Sequence, residues 1–358
     1  MKTFEEAVKI QFPDLGETIT TAQIKQVYSK HKTKWPAHIA NKENRISRGV
    51  YSYTFLDTVT RTEEIALQKI IEPSIEVPGV DSSYVPFGFF KDLSNIVKSK
   101  IFYPILIAGH HGSGKTKMVE QVCAQLKRPL IRVNISIDTD ETDLIGGPSL
   151  ENGNIVFKDG PILTAMKTGS ILSIDEVDRG SSKLLCILSI LEGSPFYNKR
   201  TGETIYPAPG FNIIATANTK GYGSEDGKYL SQIMDQAFLE RFGITVDQNY
   251  PDAKTETAIL SKVLDDKDFV ANLIKWANVI RETYNQGGID DFISTRRLIH
   301  IANAFSIFKN KKKAIELCVA RFDSSTKEAF IDLYSKVDAG EELEEVDSIK
   351  VIIDEWNY

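Results

Sequence analysis

Residues 109–116 constrain this chain more than any other stretch. They read Gly109-His110-His111-Gly112-Ser113-Gly114-Lys115-Thr116 and fit G-x-x-x-x-G-K-[ST] at every fixed position. Each position has a chemical reason. Glycines let the backbone curl so that successive N–H groups converge on phosphate oxygens. A helix starting here adds its positive N-terminal end. Lys115 supplies a point charge to β- and γ-phosphates, and the Thr116 hydroxyl is a ligand for Mg²⁺. The flanks agree with this reading. The apolar run Ile105-Leu106-Ile107-Ala108 predicts a strand entering the loop. Met118, Val119, Val122, Cys123 and Leu126 predict an amphipathic helix leaving it. The expectation is an ATP site with Mg²⁺ as cofactor; a Gly-rich turn without ligand is the bland alternative.

Around this loop the texture is that of an α/β domain. Apolar runs predict buried strands at 103–108, 129–135, 170–174, 211–217 and 244–246, with helical patterns between several of them. Such alternation implies a parallel sheet covered on both faces. After Pro251 the strands stop, and residues 252–337 read as an all-α domain. Residues 1–70 form a small basic α+β domain. Residues 71–88, dense in Pro and Gly, read as a linker. The α/β domain runs from 89 to 251, and an acidic C-terminal segment occupies 338–358.

The remaining groups of a hydrolytic site are legible downstream. Ile171-Leu172-Ser173-Ile174 runs into Asp175-Glu176. Two acids at a buried strand end repel unless a cation relieves them. Asp175 is therefore the candidate for the metal shell and Glu176 for polarising the attacking water. Asp178 reads as a helix cap and Arg179 as a surface or inter-subunit group. Phe211–Asn218 predicts a strand ending in an amide, and Asn218 is a candidate for positioning water and sensing the γ-phosphate. Arg241 precedes the last strand; a fixed guanidinium there can stabilise phosphoryl-transfer charge. Its alternative is a surface pair with Glu240 or Asp235. In Ser294-Thr295-Arg296-Arg297, Ser294 or Thr295 reads as an N-cap. Arg296 then opposes the helix dipole, which a ligand anion would rationalise.

The order of phosphate loop, Asp175-Glu176, Asn218, Arg241 and Arg296 resembles the AAA+ superfamily. Within it the chain is similar to the MoxR, chelatase, dynein and midasin branch, most of all to the CobS-type ATPase subunit of aerobic cobaltochelatase. Three stretches carry this: Gly109-His110-His111-Gly112; Asp143-Leu144-Ile145-Gly146, which opens an insertion in the second helix; and Ala215-Thr216-Ala217-Asn218-Thr219 continuing to Gly221-Tyr222-Gly223 and Gly227-Lys228-Tyr229. The insertion contains Asn152-Gly153 between apolar residues, a hairpin signal, and Phe196–Tyr206 around Gly202 reads as a second hairpin. The resemblance covers roughly residues 85–300. It implies ATP hydrolysis in a ring, usually a hexamer, with Arg241 acting on a neighbour's ATP. The side on which Arg296 acts stays open. It also implies a separate partner carrying a von Willebrand A domain, and hairpins facing the pore or that partner.

Bulk properties narrow the function classes. The net charge of −6 argues against bulk electrostatic binding of nucleic acid. Residues 25–48 are an exception: seven Lys or Arg (25, 30, 32, 34, 42, 45, 48) lie between 21 and 50 against one acid, Glu43. With Trp35 and Tyr51 nearby, this is either a nucleic-acid contact, a solvated face or a dock for an acidic partner. No apolar run approaches a membrane span, and Cys123, Cys186 and Cys318 lack metal-ligand spacing. The expectation is a cytoplasmic protein that remodels a protein or complex. A chelatase subunit, a nucleic-acid-associated ATPase and an ATP-gated scaffold are the competing readings.

Overall fold

In the computed structural model the chain divides into two compact units, Met1–Glu72 and Pro73–Tyr358. The structure describes residues 4–13, 15, 18–33, 36, 40, 45–48, 50–52, 75–151, 153–223 and 231–340. Lys34, Trp35, Lys42, Glu43, Asn152, Gly227-Lys228-Tyr229 and the acidic segment from Glu341 onward lie outside the described residues.

The first unit contains α1 (Phe4–Gln11), β1 (Thr18–Thr20), α2 (Thr21–His31), β2 (Arg45–Ser47) and β3 (Val50–Ser52). Thr20 sets where α2 begins. Its hydroxyl accepts from the Gln23 N–H, and the Gln23 side chain accepts the Thr20 N–H, a reciprocal cap. Strand β3 lies between β1 and β2, antiparallel to both. Phe4, Ala7, Val8, Ile19, Ile24 and Val27 form a small core. Lys25, Lys30, Lys32, Arg45 and Arg48 are exposed.

The second unit opens with α3 (Phe90–Ser99), β4 (Ile105–Ala108), α4 (Lys115–Gln125) and β5 (Leu130–Asn134). A hairpin then interrupts a helical segment: α5 (Glu141–Ile145), β6 (Gly146–Glu151), β7 (Asn154–Asp159) and α6 (Pro161–Thr168). Strands β6 and β7 pair antiparallel from Gly146↔Asp159 to Glu151↔Asn154, and Gly153 ahead of β7 has φ +81°. Next come β8 (Ile171–Asp175), α7 (Leu188–Leu191), the hairpin β9 (Phe196–Asn198) and β10 (Glu203–Ile205), β11 (Asn212–Ala217), α8 (Gln236–Leu239) and β12 (Ile244–Asp247).

The main sheet has the order β12-β4-β11-β8-β5, and every pairing is parallel. Its strands read as unbroken apolar runs because both faces are covered. Ile105 and Ile107 pack with α3 and α4, against Leu93, Met118 and Val122. Leu106, Leu172, Ile174 and Ile213 point the other way, into a core with Ile162, Leu163 and Phe238. The position of β11 matters most. It is fourth of the five in chain order but lies between β4 and β8, so three functional strand ends sit side by side. In open α/β sheets such ends are where ligands bind.

Five helices follow: α9 (Ala253–Leu260), α10 (Lys267–Asn285), α11 (Thr295–Phe308), α12 (Lys311–Val319) and α13 (Ser324–Asp338). Asp252, Asp266, Ser294, Asn310 and Asp323 cap them in turn, each side chain accepting a first-turn N–H. Their apolar faces meet around Trp276, whose indole donates to the Phe330 carbonyl at 2.9 Å. Among the described residues no helix is long and apolar enough to cross a membrane.

Candidate functional site

The carboxyl ends of β4, β11 and β8 open onto a cavity of about 410 Å³, walled opposite by Ile259, Val263, Arg296 and Ile299 of the helical segment. A third wall comes from the stretch read as a linker. Asp81, Ser83, Tyr84, Val85 and Phe87 all line the cavity. Gln121 of α4 holds this stretch in place: it accepts the Asp81 N–H at 2.8 Å and donates to the Gly79 carbonyl at 3.2 Å. Lys117 adds an ion pair to Asp81 at 3.3 Å. The Pro and Gly residues make the segment irregular, so no periodicity announced a wall.

Of the phosphate-loop residues, His111 through Thr116 line the cavity, whereas Gly109 and His110 do not. His110 packs instead among Tyr250, Tyr284 and Phe292, with ring centroids 5.4–6.3 Å away. Two glycines are structurally required. Gly109 has φ +151°, and a Cβ there would lie 2.3 Å from the Gln248 carbonyl oxygen. Gly112 has φ +75°, and its Cβ would meet the Ser294 hydroxyl at 2.8 Å and Arg296 Cβ at 3.2 Å. The second contact shows how closely α11 approaches the loop. Helix α4 starts after Gly114 with no side-chain cap, which leaves its first N–H groups facing the cavity.

Lys115 is buried, 8% exposed. Its ammonium donates to the carbonyls of Gly109 and His110 and lies 3.4 Å from Asn218 Oδ1. Burial pushes its pKa down to about 8; Arg296 adds to this, while Asp178, Glu176 and Asp175 oppose it. His111 is pushed down to about 4, mainly by burial and then by Arg321 and Arg296. Both shifts come first from burial, and an anion placed against Lys115 would favour its charged form. Two groups here are orphaned in hydrogen bonding. The Ser113 hydroxyl and the Tyr84 phenol are buried in the lining and find no partner among the described residues. Such groups cost stability unless a ligand or water satisfies them.

Asp175 is 2% exposed and carries a crowded set of partners. Its Oδ1 lies 3.0 Å from the Thr216 hydroxyl, 3.3 Å from the Ser173 hydroxyl and 3.5 Å from the Thr116 hydroxyl. Its Oδ2 is bound by Arg132 of β5. Glu176 has φ +57°, in the left-handed region that non-glycine residues rarely adopt. Its side chain pairs with Arg179 at 3.0 Å. Each acid thus has its own arginine beside it, Arg132 at Asp175 and Arg179 at Glu176.

Asp178 is not a helix cap. It is fully buried, and its Oδ2 accepts from the N–H groups of Asn218 and Thr219 and from the Thr219 hydroxyl, each at 3.0 Å. It ties the end of β8 to the end of β11 and so fixes Asn218 beside Lys115. Arg132 and Asp178 were missed as site residues; a strand arginine and a carboxylate two residues past Glu176 carry no local signature.

The two arginines differ. Arg296 is the second residue of α11, after the Ser294 cap, and lines the same chain's cavity. Arg241 does not line it. It pairs with Glu192 at 2.9 Å and also donates to the Ala237 carbonyl, so neither Glu240 nor Asp235 is its partner.

Known proteins agree with this architecture. Residues 104–242 match the AAA domain of the dynein-related subfamily, and residues 256–337 match the C-terminal domain of the CbbQ/NirQ/NorQ proteins. An uncharacterised protein of Staphylococcus saprophyticus is 34% identical over 213 residues, 57% of this chain and 78% of that relative. One from Staphylococcus haemolyticus is 32% identical over 238 residues, 64% of this chain and 86% of its own. The Thermotoga maritima RuvB Holliday junction branch migration motor is similar over 77% of this chain and 90% of its own, at 14% identity and a TM-score of 0.44, too loose a likeness to bear on function. With a phosphate loop on a five-stranded parallel sheet and a capped helical domain behind it, the chain belongs to the AAA+ ATPases, in their dynein-related, MoxR-like branch.

Proposed function

We propose that this ATPase hydrolyses Mg²⁺-ATP at a site completed by a neighbouring subunit, and that the resulting ring remodels a protein or complex. One observation carries the reading: Lys115, Thr116, Glu176, Asn218 and Arg296 converge on one cavity, while Arg241 is turned away onto Glu192. His111–Thr116 and the open end of α4 bind phosphates, with Gly109 and His110 shaping the loop. Thr116 and Asp175 hold Mg²⁺. Their two hard oxygens suit an ion that takes one or two protein ligands and fills its other positions with phosphate and water. The ion supplies charge neutralisation of the β- and γ-phosphates. Glu176 orients and polarises the attacking water, Asn218 senses the γ-phosphate, and Arg296 acts in cis because it lines its own chain's cavity.

Arg241 serves the next subunit's ATP, which makes a ring, usually a hexamer in this superfamily, the working form. The experiment is complementation. Lys115→Ala and Arg241→Ala chains should each be inactive alone, and mixing them should restore a fraction of the ATPase rate at interfaces that pair an intact loop with an intact arginine. A mixture as inactive as its parts refutes the shared site.

The partner is a separate protein with a von Willebrand A domain, met by the hairpins β6–β7 and β9–β10. Exposure of Leu150, Ile155 and Tyr197 on these hairpins supports a contact role. A CobS-type chelatase subunit is the narrower form of the same reading. A nucleic-acid role for residues 25–48 is supported by the exposed cations of α2 and β2. Salt-dependent retardation of DNA by the full chain, lost on reversing those charges, tests it.

A further inference from the structure

Behind Arg296 lies a buried polar chain that the hydrolytic chemistry does not itself require. Glu256 of α9 is fully buried, and Arg281 of α10 grips it with two hydrogen bonds, 2.8 and 3.0 Å long. The Thr295 hydroxyl donates to the same carboxylate at 2.6 Å. The Arg281 Nε donates to the carbonyl of Ile293 at 2.7 Å, so this one guanidinium also holds the backbone that leads into α11. On its other face, Arg281 lies 4.4 Å over the ring of Tyr250. The Tyr250 hydroxyl in turn donates to the His111 carbonyl in the phosphate loop, at 2.8 Å.

A fully buried ion pair is a poor source of stability, since apolar side chains of similar volume usually serve as well or better; what it offers is fixed geometry. Here the geometry runs without a break from the phosphate loop to the first turn of α11. We infer that Tyr250, Arg281, Glu256 and Thr295 are positioning residues that hold Arg296 at a set distance from the phosphate loop, so that the helical domain reads the nucleotide's terminal phosphate. Three helices and the loop are tied at one point. A long, flexible arginine launched from a loose helix end would spend much of any contact energy on its own ordering. Launched from Thr295, whose hydroxyl is anchored, it pays less.

This inference rests on the reading that Arg296 meets the phosphates. The test is a double-mutant cycle in the full-length protein, reading the ratio of ATP to ADP affinity by calorimetry at fixed Mg²⁺. Thr295→Val should lower that ratio by about three- to tenfold in the Arg296 chain and leave it unchanged in an Arg296→Ala chain. Thr295→Ser should restore it. Tyr250→Phe, which keeps the ring over Arg281, should act in the same direction as Thr295→Val. A Thr295→Val effect that persists undiminished without Arg296, or no effect with it, overturns the inference while leaving Arg296's role standing. An Arg296→Ala chain with the wild-type ratio overturns that role and the inference together.

Discussion

Lys115 gives the most quantitative test of the site. Its ammonium is held down to about 8 chiefly by burial, with Arg296 acting in the same direction. Phosphate oxygens placed against Nζ favour the charged form, so binding raises the pKa and pulls a proton onto the lysine. The sign follows. Affinity is complete below pH 7 and is lost as pH rises through about 8. At pH 8 about half of the free chains lack the proton, so binding takes up about half a proton per site. At pH 9 about a tenth still carry it, so affinity falls about tenfold from its value at pH 7. Calorimetry at pH 8 in two buffers of different ionisation enthalpy reads the uptake directly, and titrations from pH 7 to 9 read the slope. Lys115→Arg, which stays charged, should show neither effect. Equal heats in the two buffers with a flat affinity profile would refute the argument.

Three further outcomes are expected. Arg281→Met leaves the Glu256 carboxylate buried and unpaired, so urea unfolding should show a loss of about 3–5 kcal/mol, most of it recovered in Glu256→Leu/Arg281→Met. Asp178→Ala strips the partner from two backbone N–H groups and the Thr219 hydroxyl, so stability should fall by at least about 2 kcal/mol in the same assay. The ATPase rate should drop further than nucleotide affinity, because Asn218 loses its brace. His111, held down at about 4 by burial and neighbouring arginines, must stay neutral in the folded chain. Its contribution is present above pH 6.5 and is lost as pH falls through 4. Thermal melts across that window should fall steeply, and His111→Gln should flatten the decline.

Much of the local structure could be read from short spans of sequence, because short-range physics decides it. Strand, glycine loop and helix around Lys115 are encoded within some twenty consecutive residues. The caps of the helical domain announce themselves as Asp, Ser or Asn at helix starts. Asn152-Gly153 is a hairpin signal in sequence because two-residue hairpin turns favour such pairs, and strands β6 and β7 do pair on either side of it. Placing Asn218 next to Lys115 was also within reach, given the family's strand order.

What the sequence could not supply was pairing between distant residues. Arg132 reaches Asp175 only because β5 and β8 are neighbours. The 79–88 stretch becomes a wall only because Gln121 satisfies its backbone. Arg241 chooses Glu192, on another element, over the nearer Glu240 and Asp235. The chain from Tyr250 through Arg281 and Glu256 to Thr295 joins four elements whose separate sequences look unremarkable. A phosphate loop is a property of backbone curvature, and curvature is written locally. Which charge answers which, and how far Arg296 stands from that loop, depend on burial and close approach, and those exist only once the sheet and the helical domain have packed.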